Sequence, residues 1–416
     1  MTSNAAGLPL AEADGPAGFG EASGRRPRIL HLSGDFPDPF DGGKTRVIRT
    51  LVDMTADRFD HRVISMNRVT PAPATLLTGL PRADAIVTEV RPFEYGEAVR
   101  YSAPARGLYH RTMLHRLGDW LADWVAASPW KPDLLIGHKL AIEGIAIRRA
   151  AERLGIPYAL SIQGDTDTRI LAFRPDLSEE LAAVLKSSAI TFPFTPWAWD
   201  AIAGRFGLSA ARHILLPCPT DIDQPLEPRA SAEGLVSVFH LKSFRRKNLG
   251  NLTKAMALVS AQEPSVTLSV VGGGDAKDVA ACQKLTDKVS QISLDGPMDR
   301  DQVRQRLNAA AGFVLPSRRE SFGLVFVEAL FAGIPVIYPR GQAIDGYFDG
   351  LPFAIPVDAK DPRSIAAAIL QVHRNQNALK EALAEWQGSD HAATFRQPAI
   401  GAAFSEGLDL ALASAG

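Results

Sequence analysis

Two cysteines, Cys218 and Cys282, are too few for a disulfide framework or a thiolate metal centre. No uninterrupted apolar run approaches the roughly 18 residues that cross a bilayer. The N-terminus lacks a basic start followed by an apolar stretch, so it does not read as a secretory signal. Charge of one sign is missing as well: a formal net charge of −1 provides no global field for gathering nucleic acid. Nucleic acid is therefore excluded as a partner, and any anion site must be local. No short-period repeat is visible. These absences leave a reducing cytoplasm as the expected location.

What remains is an ordinary globular composition, 46% hydrophobic and 22% charged. At 416 residues the chain exceeds the size at which one core keeps growing, so two domains are expected. Residues 1–26 are rich in Ala and Gly without a hydrophobic period and are expected to be a disordered tail. From there, strand-like runs at 28–32, 62–65, 85–90, 134–137, 158–162 and 190–194 alternate with helical patterns at 44–56, 108–126, 142–154, 178–186 and 197–206. A proline-rich stretch at 217–234 interrupts the rhythm and suits an interdomain linker. A second alternation follows, with strands at 236–240, 267–271, near 292, 312–315 and 335–338, and helices at 249–262, 276–289, 301–310 and 322–331. The pattern predicts an α/β chain: two Rossmann-like domains, 27–216 and 217–385, with parallel sheets facing across a cleft where small ligands sit. Residues 386–416 form a C-terminal segment.

The most informative string is PSRRESFGLVFVEALFAGIP, residues 316–335. Glu320 and Glu328 lie eight positions apart. A helix beginning near Phe322 would put Glu320 and the free amides of Phe322, Gly323 and Leu324 at its N-terminus, where anions and sugar hydroxyls are favoured. Glu328 falls among Val327, Ala329 and Leu330, where an unpaired carboxylate is costly and a ribose diol would satisfy it. A lone pair of glutamates at this spacing would more often cap or solvate a helix; the flanking PS and AxxxGxP weigh against that here. The run LKSFRRKN places Lys242, Arg245, Arg246 and Lys247 between a strand and a helix. Cations there can stabilise the negative charge that develops on a departing nucleoside diphosphate, although charge runs are most often solvated loops.

The 316–335 string resembles the E-x7-E signature of the GT-B glycosyltransferases, in particular the retaining glycosyltransferase family 4 (glycosyl transferases group 1). The resemblance extends from Arg28 to about Ala384 and is more specific in the C-terminal half. It implies a nucleoside-diphosphate sugar donor, with Glu320 and the following amides on the sugar and Glu328 on the ribose. It implies a Lys at position 247. The family's Gly-Arg pair five residues earlier is replaced by Leu241-Lys242, and a lysine cannot reproduce a bidentate guanidinium contact, so Arg245 or Arg246 could take that part. It also implies a glycine-rich loop after the first strand, here Asp41-Gly42-Gly43 followed by Lys44, and a VGxG-like turn at Gly272-Gly273-Gly274. The loop backbone around Pro297-Met298 would meet the base. A C-terminal helix over 395–412 would cross back to the first domain.

On the acceptor side, His138 matches the second histidine of the family's HxH-like string, with Ile136 at the first. An isolated histidine is more often an ordinary loop residue, yet one beside a reacting sugar can position hydroxyls or move a proton. Gln163-Gly164-Asp165 follows the next strand, where the family often has His-Gly. Asp165-Thr166-Asp167 has the form of a metal-binding DxD, a weak signal that two Rossmann-like halves argue against, so no cofactor and no essential metal are expected. The string GGKT tempts a phosphate-loop reading, which fails because position 38 is Asp rather than Gly. The helix at 108–126 is amphipathic and basic, a pattern shared by helices lying on a membrane face and helices packed on a sheet; packing is favoured, with peripheral contact at the inner membrane face as the other reading.

The function expected from these residues is retaining transfer of a sugar from a nucleotide-sugar donor to a carbohydrate, lipid-linked or small-molecule hydroxyl. His138, Lys247 and Glu320 would be catalytic. Gly43, Lys242, Arg246, Lys247, Gly273, Met298, Glu320, Ser321, Phe322, Gly323, Leu324 and Glu328 would be donor-binding. Lys44, His138, Gln163 and Asp165 would lie on the acceptor side. A sugar-nucleotide epimerase on the same fold, or a catalytically silent nucleotide-binding protein, are the alternatives; the lost Gly-Arg pair motivates the second.

Overall fold

The computed structural model describes residues 25–71, 79–208, 210–230 and 232–414. Most of the expected tail lies outside them. Arg25 and Arg26 are placed, Arg25 by an ion pair with Asp133 at 2.9 Å.

The first sheet has seven strands: β1 (Arg28–Ser33), β2 (Asp60–Val69), β3 (Val87–Phe93), β4 (Gly96–Ser102), β5 (Leu134–Gly137), β6 (Tyr158–Ile162) and β7 (Ile190–Pro193). Their spatial order is β3-β4-β2-β1-β5-β6-β7. All pair in parallel except β3, which runs antiparallel to β4. The central strands are buried on both faces, as parallel strands under crossover helices must be, which explains why RILHLS and LLIG read as continuous apolar runs. The sequence reading placed a single strand at 85–90 and missed that β3 folds back on β4 through Glu94-Tyr95.

Helices α1 (Val47–Met54), α2 (His110–Ala127), α3 (Ile145–Leu154), α4 (Asp165–Phe173), α5 (Ser178–Ser187) and α6 (Pro196–Phe206) flank this sheet. In α2, Met113, Leu114, Leu117, Leu121 and Val125 are buried. It packs tightly on α3 at Gly118, where a β-carbon would lie 2.5 Å from the Ala146 carbonyl oxygen. The apolar face of this amphipathic helix is therefore covered by protein. Among the described residues no helix is long and apolar enough to cross a membrane.

The second sheet is wholly parallel: β8 (Leu235–Val238), β9 (Leu268–Val271), β10 (Ile292–Gly296), β11 (Gly312–Val314), β12 (Val336–Pro339) and β13 (Ala354–Val357), ordered β10-β9-β8-β11-β12-β13. Helices α7 (Leu249–Ser260), α8 (Ala276–Thr286), α9 (Arg300–Asn308) and α10 (Leu324–Phe331) connect the strands. The chain then continues through α11 (Pro362–Gln387) and α12 (Asp390–Ala393) to α13 (Gln397–Ala413). In each sheet the strand order reverses beside the first strand, between β1 and β5 and between β8 and β11. Crevices at the carboxyl ends of strands form at such reversals.

Helix α13 packs on the first sheet. Phe404 stacks edge-on against Phe192 at 5.1 Å, and Asp409 pairs with Arg58 at 2.6 Å. Three polar contacts also join the halves across the cleft. Trp197 Nε1 donates to the Ala343 carbonyl at 2.9 Å, the Tyr347 hydroxyl donates to the Phe194 carbonyl at 2.9 Å, and Arg319 grips Asp165 with bonds of 3.0 and 2.5 Å.

Candidate functional site

The loop after β8 and the loop after β11 meet at the second reversal point. The first carries Lys242–Lys247, and its start is fixed by a bond from the Leu241 amide to the Gly273 carbonyl at 2.8 Å. The neighbouring Gly272 allows this: a β-carbon there would lie 1.8 Å from the Phe239 carbonyl oxygen. The triple glycine thus joins two strand ends, and this contact accounts for Gly272 without a ligand. Asn248, at φ 65, closes the loop and its side chain bonds the carbonyls of Pro316 and Ala359 and accepts from Arg318 Nε at 3.0 Å. It thereby ties the basic run to the loop that precedes α10.

Lys247 forms an ion pair with Glu320, both side chains largely buried at 13% and 11% exposure. Ser317 Oγ donates to the same carboxylate at 3.2 Å, and the Glu320 amide donates to Gln342 Oε1 at 2.9 Å. Gly323 caps α10 in the left-handed conformation, φ 74, with Ser321 and Leu324 half-buried beside it. Phe322 turns inward and packs edge-on against Tyr347. Lys242, Arg245 and Arg246 are exposed and make no ion pair among the described residues.

On α10, Glu328 is half-buried and no hydrogen bond is found to its carboxylate among the described residues. Burial first, and then the nearby Asp221, push its pKa up to about 7. It lines a pocket of about 390 Å³ together with Met298, Val238, Asp221, Ile222 and Arg300. Arg300 and Asp221 pair at 2.8 Å on the rim. Glu320, in the loop before α10, and Glu328, on the helix, therefore look into different spaces, one toward the basic run and one into the pocket.

The acceptor-side expectations fare differently. Lys44 does not face the cleft: its ammonium is locked at 2.6 Å on Asp38 and also donates to Ser65 Oγ and the Met66 carbonyl. Burial opposes ionisation of Asp38, but the donors from Lys44, Ser65 and Asn67 hold its pKa at about 2. Lys44 is thus part of the frame of the β1–α1 loop, in which the exposed Gly43 amide closes an Asx turn on Asp41 at 3.0 Å.

His138 is corrected more sharply. It is fully buried in the sheet, with Nε2 at 2.9 Å from His31 Nδ1 and Nδ1 at 3.1 Å from Ser161 Oγ. His31 Nε2 meets His61 Nδ1 at 2.9 Å, and His61 Nε2 meets Thr55 Oγ1 at 2.9 Å. Because Thr55 Oγ1 donates to the Leu51 carbonyl, it can only accept from His61. The direction then propagates: each imidazole donates from Nε2 and accepts at Nδ1, and Ser161 donates to His138. Burial drives the His138 pKa down to about 3 and that of His61 to about 4, so the chain is neutral. A histidine with both ring nitrogens engaged in the core cannot reach a sugar.

Gln163 remains half-buried at the end of β6. Asp165, next along, is held by Arg319 from the opposite half. Asp167 is fully buried, accepts from the Ala141 amide at 2.9 Å and leaves Oδ2 without a partner among the described residues. Burial raises its pKa to about 7. The two carboxylates of the DxD string are committed to different partners, and among the described residues no group of three or more His, Cys, Asp or Glu side chains is arranged to hold a metal.

Sequence reasoning missed Arg319, Asn248 and Gln342. Arg319 sits inside the quoted string, but nothing local names a partner 154 positions away.

Residues 234–375 match the family model described as Glycosyl transferases group 1. Over 374 residues the chain is 25% identical to a glycogen synthase of Mycobacterium tuberculosis, spanning 83% of this chain and 86% of that one. A D-inositol 3-phosphate glycosyltransferase of Jonesia denitrificans is 36% identical over 114 residues, 25% of this chain and 27% of that one. Among solved structures, a sucrose-phosphate synthase from Thermosynechococcus elongatus superposes with a TM-score of 0.68 at 20% identity, covering 94% of this chain and 100% of that one. HepE from Anabaena, in complex with UDP and glucose, superposes with a TM-score of 0.60 at 14% identity, covering 92% and 99%. The matched segment contains the basic run, Glu320 and Glu328, and the fold is the one these structures share. The second half of the chain is thus similar to the glycosyl transferases group 1, and the chain as a whole has the two-domain GT-B fold of these solved structures.

Proposed function

We propose that the protein is a retaining, metal-independent transferase whose donor lies along the second sheet's reversal point. The observation that carries the reading is Glu328, a half-buried carboxylate without a hydrogen-bond partner among the described residues, which opens into a pocket of about 390 Å³. A ribose diol there would supply the two donors that the carboxylate lacks. Met298 and Val238 offer apolar contact to a base. The diphosphate would reach from this pocket toward Lys247, with Lys242 and Arg246 exposed beside it. The sugar would meet Glu320 and the amides at the start of α10, whose helix dipole favours negative charge. The Anabaena neighbour holds UDP and glucose, which supports a donor of this chemical class.

In the reaction, the acceptor hydroxyl oxygen attacks the anomeric carbon on the face from which the diphosphate leaves. The bond from that carbon to the phosphate oxygen breaks, the electron pair departs with the diphosphate, and the hydroxyl proton passes to a diphosphate oxygen. Lys247 neutralises the charge that develops, in place of a metal. None of these three carboxylates is placed as a nucleophile: Glu320 is held by Lys247 and Ser317, Asp165 by Arg319, and Glu328 looks into the pocket assigned to the ribose. The acceptor, a carbohydrate, lipid-linked or small-molecule hydroxyl, would enter from the first domain near Gln163.

The test is release of nucleoside diphosphate from a panel of nucleotide sugars, with mixed acceptors, by the wild type and by Lys247→Ala and Glu328→Gln. Acceptor-dependent release that both substitutions reduce supports the reading. Nucleotide binding without transfer would make the protein a silent binder.

A further inference from the structure

The most exposed large apolar side chains of the first domain cluster where α2 begins and α4 ends. Phe173 is 78% exposed, Leu108 58% and Tyr109 58%. Tyr109 precedes α2 with φ 56, a left-handed conformation that side chains beyond glycine rarely hold without a compensating contact. Beneath these residues lies a pocket of about 660 Å³, lined by Arg68, Arg169, Arg174, His110 and Phe173. Its walls are stitched together, because Arg174 Nη1 donates to the Gly107 carbonyl at 2.7 Å and His110 bonds the Ala141 carbonyl at 2.7 Å. Arg111 and Arg169 are exposed and make no ion pair among the described residues, and the nearby Asp176 is already bound by Arg174 at 2.7 Å. The surface thus combines a rigid frame, three exposed apolar tips and an excess of guanidinium groups.

We propose that this surface docks on an anionic lipid bilayer, with Phe173, Leu108 and Tyr109 entering the headgroup–acyl boundary and Arg111 and Arg169 meeting lipid phosphates. A soluble anion would use the arginines alone and leave the apolar tips in water; a bilayer uses both. The body of α2 is packed on α3, so the contact is made by its first turn and the end of α4 rather than by a helix lying flat. Helix α4 spans Asp165 at the cleft to Phe173 at the patch, about 12 Å at 1.5 Å per residue. On the glycosyltransferase reading, which this last step alone rests on, docking presents a lipid-borne acceptor to the cleft.

Cosedimentation of the full chain with vesicles reads docking without turnover. The wild type should bind phosphatidylcholine vesicles containing phosphatidylglycerol, prefer them over phosphatidylcholine alone, and be released as salt rises. The double substitution Leu108→Ser with Phe173→Ser should weaken binding roughly tenfold or more, and Arg169→Ala about fivefold. Both side-chain sets are exposed, so the variants should keep the wild-type Tm and nucleotide affinity. Equal binding to neutral and anionic vesicles, or full binding by the double serine variant, would overturn the proposal. Displacement by millimolar inorganic phosphate at constant ionic strength would also overturn it, making the pocket a soluble-anion site.

Discussion

Donor binding should be linked to the ionisation of Glu328. In the free protein its carboxyl is pushed up to about 7 by burial and by Asp221. A ribose diol donates to the carboxylate, so binding favours the charged form, and affinity is lost as pH falls through about 7. The ionised fraction rises from about 0.09 at about pH 6 to about 0.91 at about pH 8, so affinity should rise about tenfold across that interval, or about 1.4 kcal/mol. Glu328→Gln keeps the shape but cannot accept both ribose hydroxyls, and at about pH 8 it should lose about 1–3 kcal/mol of affinity. The assay is calorimetric titration with the nucleoside diphosphate that raises Tm most in a screen, at several pH values and in buffers of different ionisation enthalpy. The nucleotide's own phosphate titrates equally in both proteins, so the difference between their profiles isolates Glu328. Near neutrality the wild type should release about half a proton per site to buffer on binding. The stability sign runs the other way. A carboxyl raised above its unfolded value stabilises the free protein below about pH 4.5 and loses that contribution as pH rises through about 7. Free Glu328→Gln should therefore be the more heat-stable protein above neutrality. Parallel pH profiles for the two proteins would refute the placement of ribose at Glu328.

Lys247→Ala should lower kcat about 100-fold or more with a Tm loss of only a few degrees, because the charge it offsets develops mainly in the transition state; near-wild-type turnover would return the basic run to a solvated loop. Asp165→Asn cuts the ionic grip of Arg319 across the cleft, so it should shift the solution scattering profile toward a more open pair of domains while leaving divalent-ion dependence unchanged. An unaltered profile would show that the Trp197 and Tyr347 contacts suffice. Asp167→Asn keeps the acceptor for the Ala141 amide and removes a buried carboxylate whose pKa lies near 7, so it should raise stability by about 2–4 kcal/mol at about pH 8. That gain should fade toward about pH 5, and a pH-independent difference between the two melting curves would count against it.

Much of the fold was legible because parallel strands under helices are uniformly apolar and end in glycine or proline. RILHLS, YALSI and LSVV could be placed to within a residue or so, and the E-x7-E segment located the start of α10. The antiparallel hairpin β3–β4 was lost because VTEVRPF lies at a sheet edge and reads as half-polar. Helix α11 escaped since PRSIAAAILQVHRNQNALKEALAEWQ follows the last strong motif and carries a kink at Asn375. In the site, residues tied to local pattern lie around the start of α10: Lys247 pairs with Glu320 before the helix, and Glu328 lines the neighbouring pocket. His138 and Lys44 do not join them, because motif position gives no account of which way a side chain turns. The partners that decide it, His31, Ser161, Asp38 and Ser65, come from other strands. Arg319 was invisible for the same reason.

The most direct test of the whole account follows the anomeric proton by NMR from an α-linked nucleotide sugar to product, in excess EDTA. The account predicts that transfer proceeds and that the new linkage is α. A β-linked product, or transfer abolished by EDTA and restored by magnesium or manganese, would contradict it.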